Sequence, residues 1–130
     1  PSQTVGVDVQ GGTLYLNSQT MTAVNGDGVT ISGGVCNISG LTIDTSGSAT
    51  KNPIVKSGGS LTLNDCTLVA EATQDSISAG TAQTVVSSAS KCFQEVGANV
   101  TVEGDLFYNQ GGPTVGQVPT ANADGTWSWT

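Results

Sequence analysis

Residues 58–68 read Gly58-Gly59-Ser60-Leu61-Thr62-Leu63-Asn64-Asp65-Cys66-Thr67-Leu68, and this stretch decides the fold of the chain. After the glycine pair, apolar residues alternate with Thr and Asn, which is the period-2 pattern of a strand with one buried face. The glycine pair favours a bend, because a Cβ would crowd the corner. The stretch therefore predicts a corner followed by half-buried strands.

The same eleven-residue pattern occurs at residues 11–21, 33–43 and 97–107, so that the four copies start 22, 25 and 39 residues apart. A hairpin fold, whether sandwich or meander, would repeat every ~8–12 residues with Asn-Gly or Asp-Gly turns. A repeat of just over ~20 residues is instead typical of coils stacked on one another. The sequence therefore predicts an all-β fold, a short right-handed parallel β-helix of about four to five coils.

Positions four, six and eleven of the four copies are apolar. Coils stacked about 4.8 Å apart place equivalent residues above one another, which predicts an inward ladder of side chains. The members of this predicted core ladder are Leu14, Leu16, Met21, Cys36, Ile38, Ile43, Leu61, Leu63, Leu68, Val100, Val102 and Phe107.

The repeat divides the chain into a β-helix domain over residues 1–109 and an extended C-terminal tail over 110–130. The long spacing before the fourth copy contains residues 71–90, which are rich in Ser, Thr, Ala and Gln. This segment is either an extra or distorted coil, with Thr84-Val85-Val86 as its strand, or a projecting loop. The extra coil is favoured, because a structureless loop of that length is unusual in a compact domain.

Composition excludes several classes of partner. The formal net charge is −7, with three Lys and neither Arg nor His, which argues against nucleic acid and against an anionic membrane surface. No segment has the ~20 apolar residues of a membrane span, and the N-terminus lacks the features of a signal peptide. Pro1 is what remains when an initiator Met is trimmed, so we expect either a whole small protein or a processed fragment.

The pattern Gly-Gly-x-Leu-x-Leu-Asn-x-x-x-Leu, preceded by a short apolar strand, resembles the coils of the pectin-lyase-like superfamily of right-handed parallel β-helices. The resemblance covers roughly residues 5–109 and is closest in character to bacteriophage decoration, fibre and tailspike proteins. It implies a virion location and a homotrimer that contacts capsid or other virion proteins. The alternative is an extracellular adhesin or receptor-binding module of a bacterial surface that binds a glycan.

The resemblance also brings polysaccharide-cleaving enzymes into consideration, but the residues disfavour them. Lyases of this superfamily use an Arg or Lys base with calcium-binding carboxylates, and its hydrolases use clustered Asp. This chain has no Arg, and Asp44, Asp65 and Asp105 occupy different positions of the repeat. Because the chain has no His, it cannot form a Ser-His-Asp catalytic triad. We therefore predict a protein that is not an enzyme.

No metal or cofactor is predicted. Asn25-Gly26-Asp27-Gly28 is similar to the opening of a calcium loop, but the chain then runs into a strand without the remaining oxygen ligands, so a turn is predicted. The three Cys are irregularly spaced and are expected to be buried packing residues, without a disulfide or a zinc site.

Four aromatic residues are candidates for interface or attachment. Trp127 and Trp129 are spaced by two and should lie on one face of an extended strand. They could cap the open end of the solenoid, dock into another subunit or the capsid, or stack against a sugar ring. Tyr15 and Tyr108 are predicted to point outward.

Overall fold

A computed structural model of the chain describes residues 5–17, 20–21, 27–46, 51–71, 73–94, 96–108, 115–123 and 126–130, and these residues form strands and turns without a helix. The strands are β1 (Val5–Val9), β2 (Thr13–Asn17), β3 (Thr20–Met21), β4 (Asp27–Ile31), β5 (Val35–Ser39), β6 (Thr42–Asp44), β7 (Ile54–Lys56), β8 (Ser60–Asn64), β9 (Thr67–Val69), β10 (Ile77–Ser78), β11 (Gln83–Cys92), β12 (Val100–Tyr108), β13 (Pro119–Ala121) and β14 (Thr126–Trp129).

These strands stack into a parallel β-solenoid of about four turns, as the repeat predicted. One face is the parallel sheet β1-β4-β7-β10, and the next is the parallel run β2-β5-β8-β11-β12. A third face is formed by β3, β6 and β9, and β9 also pairs with the end of β11. Every coil thus lays its strands on the equivalent strands of the coil before.

The core lies inside the coils, where each face contributes alternate residues. Cys36 pairs in register with Leu61, and Ile38 pairs with Leu63. The core residues are almost inaccessible to solvent, with Ile38 at 1% exposure and Leu63 at 0%. The ladder positions described as buried are Cys36, Ile38, Ile43, Leu61, Leu63, Leu68, Val100 and Val102, whereas Leu14 and Leu16 are partly buried in the first coil. The side chain of Met21 lies outside the described residues.

The glycine pairs form the corner between the first and second faces. Gly34 has φ +74°, and a Cβ built on it would come within 2.6 Å of the Gly11 carbonyl carbon and the Gly12 oxygen. A Cβ on Gly59 would be 2.7 Å from the Gly34 oxygen. The glycines are therefore required both by the positive φ and by the close stacking of one corner on the next.

A second corner, between the second and third faces, uses a single residue with positive φ in three successive coils of the described chain. Gly40 has φ 65°, Asp65 has φ 53° and Ala89 has φ 54°. They follow Ser39, Asn64 and Ser88, which are in register in adjacent coils. Asp65 therefore serves as a corner residue.

The spacing of 39 residues before the fourth sequence copy contains a further coil. Residues 71–90 include β10 and most of β11, which pair in parallel with β7 and β8. Val102 therefore stacks on Val85 of this coil.

In the fourth sequence copy, the strand register at Val102 differs by two residues from the sequence alignment that predicted the ladder. Gly104 is in register with Ser87, the partner of Leu63, so Val102 takes position four of the repeat and not position six. Phe107 pairs with Lys91, one residue before the buried Cys92, and is only partly buried. The assignment of Phe107 to the inward ladder was therefore wrong, because β12 has one residue fewer than β11 where the register shifts between Ser87 and Ser90.

The tail adds two strands to the end of the third face, because β14 pairs with Leu106 and Phe107, and Phe107 stacks through Lys91 on Thr67 of β9. β14 pairs in parallel with β12, and β13 pairs antiparallel with β14. The final edge strand, β13, contains Pro119, which has no N–H to donate. Proline is common in edge strands, where it hinders pairing with another strand.

Candidate functional site

Lys56 occupies a position that the fold otherwise gives to aliphatic side chains. It pairs in register with Ile31, which in turn pairs with Val9, and both of these are buried in the core. Lys56 itself is only 2% exposed. A lysine is almost never fully buried unless its ammonium has a specific partner, so this position calls for a physical account.

The coil above Lys56 leaves room for its side chain. In the third coil, Thr62 lies eight residues after Ile54. Their partners in the fourth coil, Ile77 and Val86, are nine residues apart. The second and third coils do not differ in this way, because Val35 lies six residues after Val29 and its partner Ser60 lies six residues after Ile54. The fourth coil therefore has one extra residue in its first corner.

The extra residue separates β11 from β8 at the start of the strands. Their register begins at Val86 and Thr62, although β5 and β8 are already paired from Val35 and Ser60 onward. In the fourth coil, Gly80-Thr81-Ala82 stand where the earlier coils have the glycine pair. This corner cannot stack on Gly58-Gly59 as the earlier corners stack on one another.

The separation opens a cleft of about 470 Å³ in the second face. Its lining combines the lysine, one amide and several hydroxyl groups with apolar surface of almost equal extent. The lining residues are Lys56, Gly59, Ser60, Leu61, Thr62, Ala82, Gln83, Thr84 and Val86.

Lys56 reaches this cleft from the core side. Its Nζ donates a hydrogen bond of 2.6 Å to Oε1 of Gln83. The Gln83 amide is oriented by its own Nε2, which donates to Oγ1 of Thr81 at 3.2 Å. The carbonyl end of the amide is thereby turned toward the ammonium.

Burial lowers the pKa of Lys56 from its ordinary value, because desolvation penalises the charged form. Desolvation is the sole cause of this shift among the described residues, so no neighbouring carboxylate raises the pKa in compensation. The site thus holds a desolvated ammonium with three donor hydrogens and one neutral acceptor. Chemically, it can bind a small group that offers negative charge and further acceptors.

The Trp residues form a second candidate surface, the aromatic face, defined here as Phe107, Trp127 and Trp129. The ring of Phe107 lies 5.7 Å from that of Trp129 in a stacked arrangement and 6.3 Å from that of Trp127. All three side chains are partly buried. Since Phe107 pairs with the exposed Lys91, the face lies on the outside of the solenoid at its C-terminal end.

The two predicted tyrosines are not part of the aromatic face as described. Tyr15 lies in the first coil and is 67% exposed. It is separated from the tail by the successive strands of the second face. Tyr108 is the last residue of β12, and its side chain lies outside the described residues.

Two of the acidic residues, Asp44 and Asp27, have structural contacts of their own. Asp44 Oδ1 accepts hydrogen bonds from the amide and the hydroxyl of Ser46. Asp27 Oδ1 accepts from the amide of Asn52 at 3.0 Å and so links successive coils. Asp105 is exposed, and Asp65 forms the corner described above. Within the described part of the chain, no three Asp, Glu, Cys or His side chains come together as a metal site. Residues 22–26, which include Asn25 and Gly26 of the calcium-like motif, lie outside the described residues.

The three cysteines are free and buried. Cys66 Sγ lies 3.3 Å from the Ile38 carbonyl oxygen and 3.4 Å from that of Asn64, both of which accept from the thiol. Burial, and secondarily the neighbouring Cys66, raise the pKa of Cys36. A raised pKa disfavours the reactive thiolate.

Sequence reasoning missed the Lys56 cleft. The signal was present in the alternation Ile54-Val55-Lys56, which places Lys56 on the same side as Ile54. The extra corner residue was hidden, because the register of the fourth coil depends on strand pairing.

Comparison with protein-family models, with curated proteins and with solved structures found no match to this chain. Among the described residues, no helix is long and apolar enough to span a membrane.

Proposed function

We propose that the chain is a non-catalytic structural protein of a bacteriophage virion, a capsid decoration protein or small fibre or spike module that acts as a homotrimer. The observation that carries the proposal is the aromatic face at the outer C-terminal end of the solenoid. Three partly buried rings pack there on strands that extend the coil stack. Trp is one of the residue types enriched among the side chains that anchor protein interfaces.

The ends of the solenoid give a physical reason for association. A stack of parallel coils has unpaired backbone groups along its terminal strands, which favour pairing or coverage. At the C-terminal end, β13 and β14 extend the stack and Pro119 blunts the final edge. The first coil has β1 and β2 at its edge, and there Leu14 and Leu16 remain partly exposed.

Charge and chemistry are consistent with a mechanical role. The carboxylate of Asp44 caps a turn and that of Asp27 links two coils, so both have structural roles. The low content of charged residues and the close-packed ladder suit a rigid prism on an exterior surface. Attachment to capsid or other virion proteins would then involve the aromatic face.

A comparison of two aromatic variants tests the proposal. We expect Trp129→Ser to reduce the mass measured by light scattering from that of a trimer to that of a monomer, because the substitution removes a partly exposed ring from the proposed interface. Tyr15→Ser, an exposed aromatic in the first coil, is the matched control and should keep the trimer. Circular dichroism establishes that both variants are folded. A folded Trp129→Ser variant with unchanged mass would contradict the proposal.

The second candidate function is a glycan-binding adhesin or receptor-binding module on an extracellular bacterial surface. Partly exposed Trp rings favour it, because sugar rings also stack on such surfaces. A glycan array separates the two candidates: a saccharide whose binding is lost in Trp129→Ser and kept in Tyr15→Ser would support the adhesin.

A further inference from the structure

We propose that the cleft between β8 and β11 is a binding site for the carboxylate group of a small organic acid, with Lys56 as the residue that pairs with the carboxylate. This assignment does not depend on the virion role, because it rests on the separation of two strands and on the lysine that reaches into the gap.

The first support is the mismatch between the position and the residue. The register partners of Lys56 in the coils below are Ile31 and Val9, and an apolar residue would continue that ladder. Above it, Ser78 is in register with Val55, so the following residue, Ala79, takes the position over Lys56. A small side chain there leaves space for the lysine to extend toward the cleft.

The second support is the unbalanced charge. Lys56 is 2% exposed and its described hydrogen bond goes to a neutral amide, Gln83 Oε1, at 2.6 Å. Burying a charge is costly unless it is paired and hydrogen-bonded. A carboxylate in the cleft would supply the opposite charge and would accept the remaining ammonium hydrogens.

The third support is that the charge and the hydrogen-bonding groups of the cleft lining suit a ligand with a single negative charge. A single ammonium balances a single carboxylate, whereas a phosphate dianion would add uncompensated charge to a chain of net charge −7. The hydroxyl-bearing residues Ser60, Thr62 and Thr84 line the same cleft and bring further hydrogen-bond donors to it. The cleft volume of about 470 Å³ is that of a small-molecule site.

The experiment titrates the full-length protein with sodium propionate and, separately, with propionamide, which has the same shape without the charge. Amide NMR shifts report binding at residues lining the cleft. We expect saturable shifts at Leu61, Gln83 and Thr84 with propionate and none with propionamide. Equal shifts with propionamide, or no saturable shifts with propionate, would overturn the assignment.

Two variants locate the binding at Lys56. Lys56→Met keeps the length of the side chain and suits the apolar ladder, so it should remain folded while its propionate affinity falls by about tenfold or more. Lys91→Met removes an exposed lysine and should change the affinity by less than about twofold. A Lys56→Met protein that binds propionate like the wild type would reject the site.

A third pair of probes separates a small acid from a polypeptide terminus. Triglycine with a free carboxyl group is compared with triglycine amide. Weaker binding of free triglycine than of propionate agrees with a small organic acid. Tighter binding that is lost in both the amide and Lys56→Met would assign the cleft to a polypeptide terminus and overturn the proposed ligand class.

Discussion

A corner glycine in this chain meets two requirements: a positive φ, and close packing against the corner of the coil before. Gly12 and Gly34 allow the two requirements to be measured separately. Gly12 and Gly34 have φ +70° and +74°, so both conformations are strained for any residue with a Cβ. A Cβ on Gly34 would collide with the backbone of Gly11 and Gly12, whereas a Cβ on Gly12 meets no atom within 4 Å. The difference between them isolates the packing of one corner on another.

We expect Gly12→Ala to lower the free energy of unfolding by about 1 kcal/mol, from backbone strain alone. Gly34→Ala should cost about 2 kcal/mol more than this, because a backbone must move as well. Urea unfolding monitored by circular dichroism measures both values. Equal costs for the two variants would mean that the corners are not stacked as described.

Lys56 gives stability a specific dependence on pH. Its pKa is lowered by burial below the ordinary 10.5, so in the window between the two values the unfolded chain binds more protons than the folded chain. Stability should therefore rise as the pH increases through that window, because the buried ammonium is neutralised.

The comparison with Lys56→Met isolates this effect. Cys36 has a raised pKa, so its contribution to the stability of the fold is lost as the pH rises above its ordinary pKa of 9.0. Cys36 is present in both proteins, so this contribution cancels in the comparison. We expect the wild type to gain stability relative to Lys56→Met between neutral pH and 10.5, measured by urea unfolding. A constant difference across this range would show that Lys56 is not desolvated in the folded protein.

At the scale of elements, one extra residue in a corner changes the pairing of two strands. Removing Ala82 gives the fourth coil the same corner length as the third. We expect the deletion to extend the ladder from Val86–Thr62 to Thr84–Ser60 and to close the cleft. Hydrogen exchange at the amides of Leu61 and Thr84 should then slow.

Deletion of Ser46 is the control, because it lies in an exposed turn at the end of the third face. It should leave exchange at Leu61 and Thr84 unchanged. Unaltered exchange at these amides after deletion of Ala82 would mean that corner length does not cause the separation of the strands.

The elements show which parts of the fold can be predicted from sequence. Residues 58–68 predict their strand, corner and burial because alternation and glycine requirements are local. The fourth coil breaks both signals: Gly80-Thr81-Ala82 replaces the glycine pair, and Ser87 stands in register with Leu63. The register of Phe107 and the cleft at Lys56 depend on corner lengths in adjacent coils, which become evident once the strands are paired.

At the scale of the whole molecule, the Lys56 cleft and the aromatic face lie on different strands, and we expect them to act independently. The cleft interrupts the second face between the third and fourth coils, and the aromatic face lies on the last strands. Lys56→Met should therefore leave the mass in solution unchanged, and Trp129→Ser should leave propionate binding unchanged. Loss of both properties in either folded variant would contradict this separation.

The solution mass of the unaltered chain, measured by sedimentation equilibrium over a wide range of concentrations, tests the proposed role most directly. A structural virion protein of this kind should give a mass three times that of the chain, independent of concentration. A folded monomer at every concentration would contradict the account and would favour the adhesin.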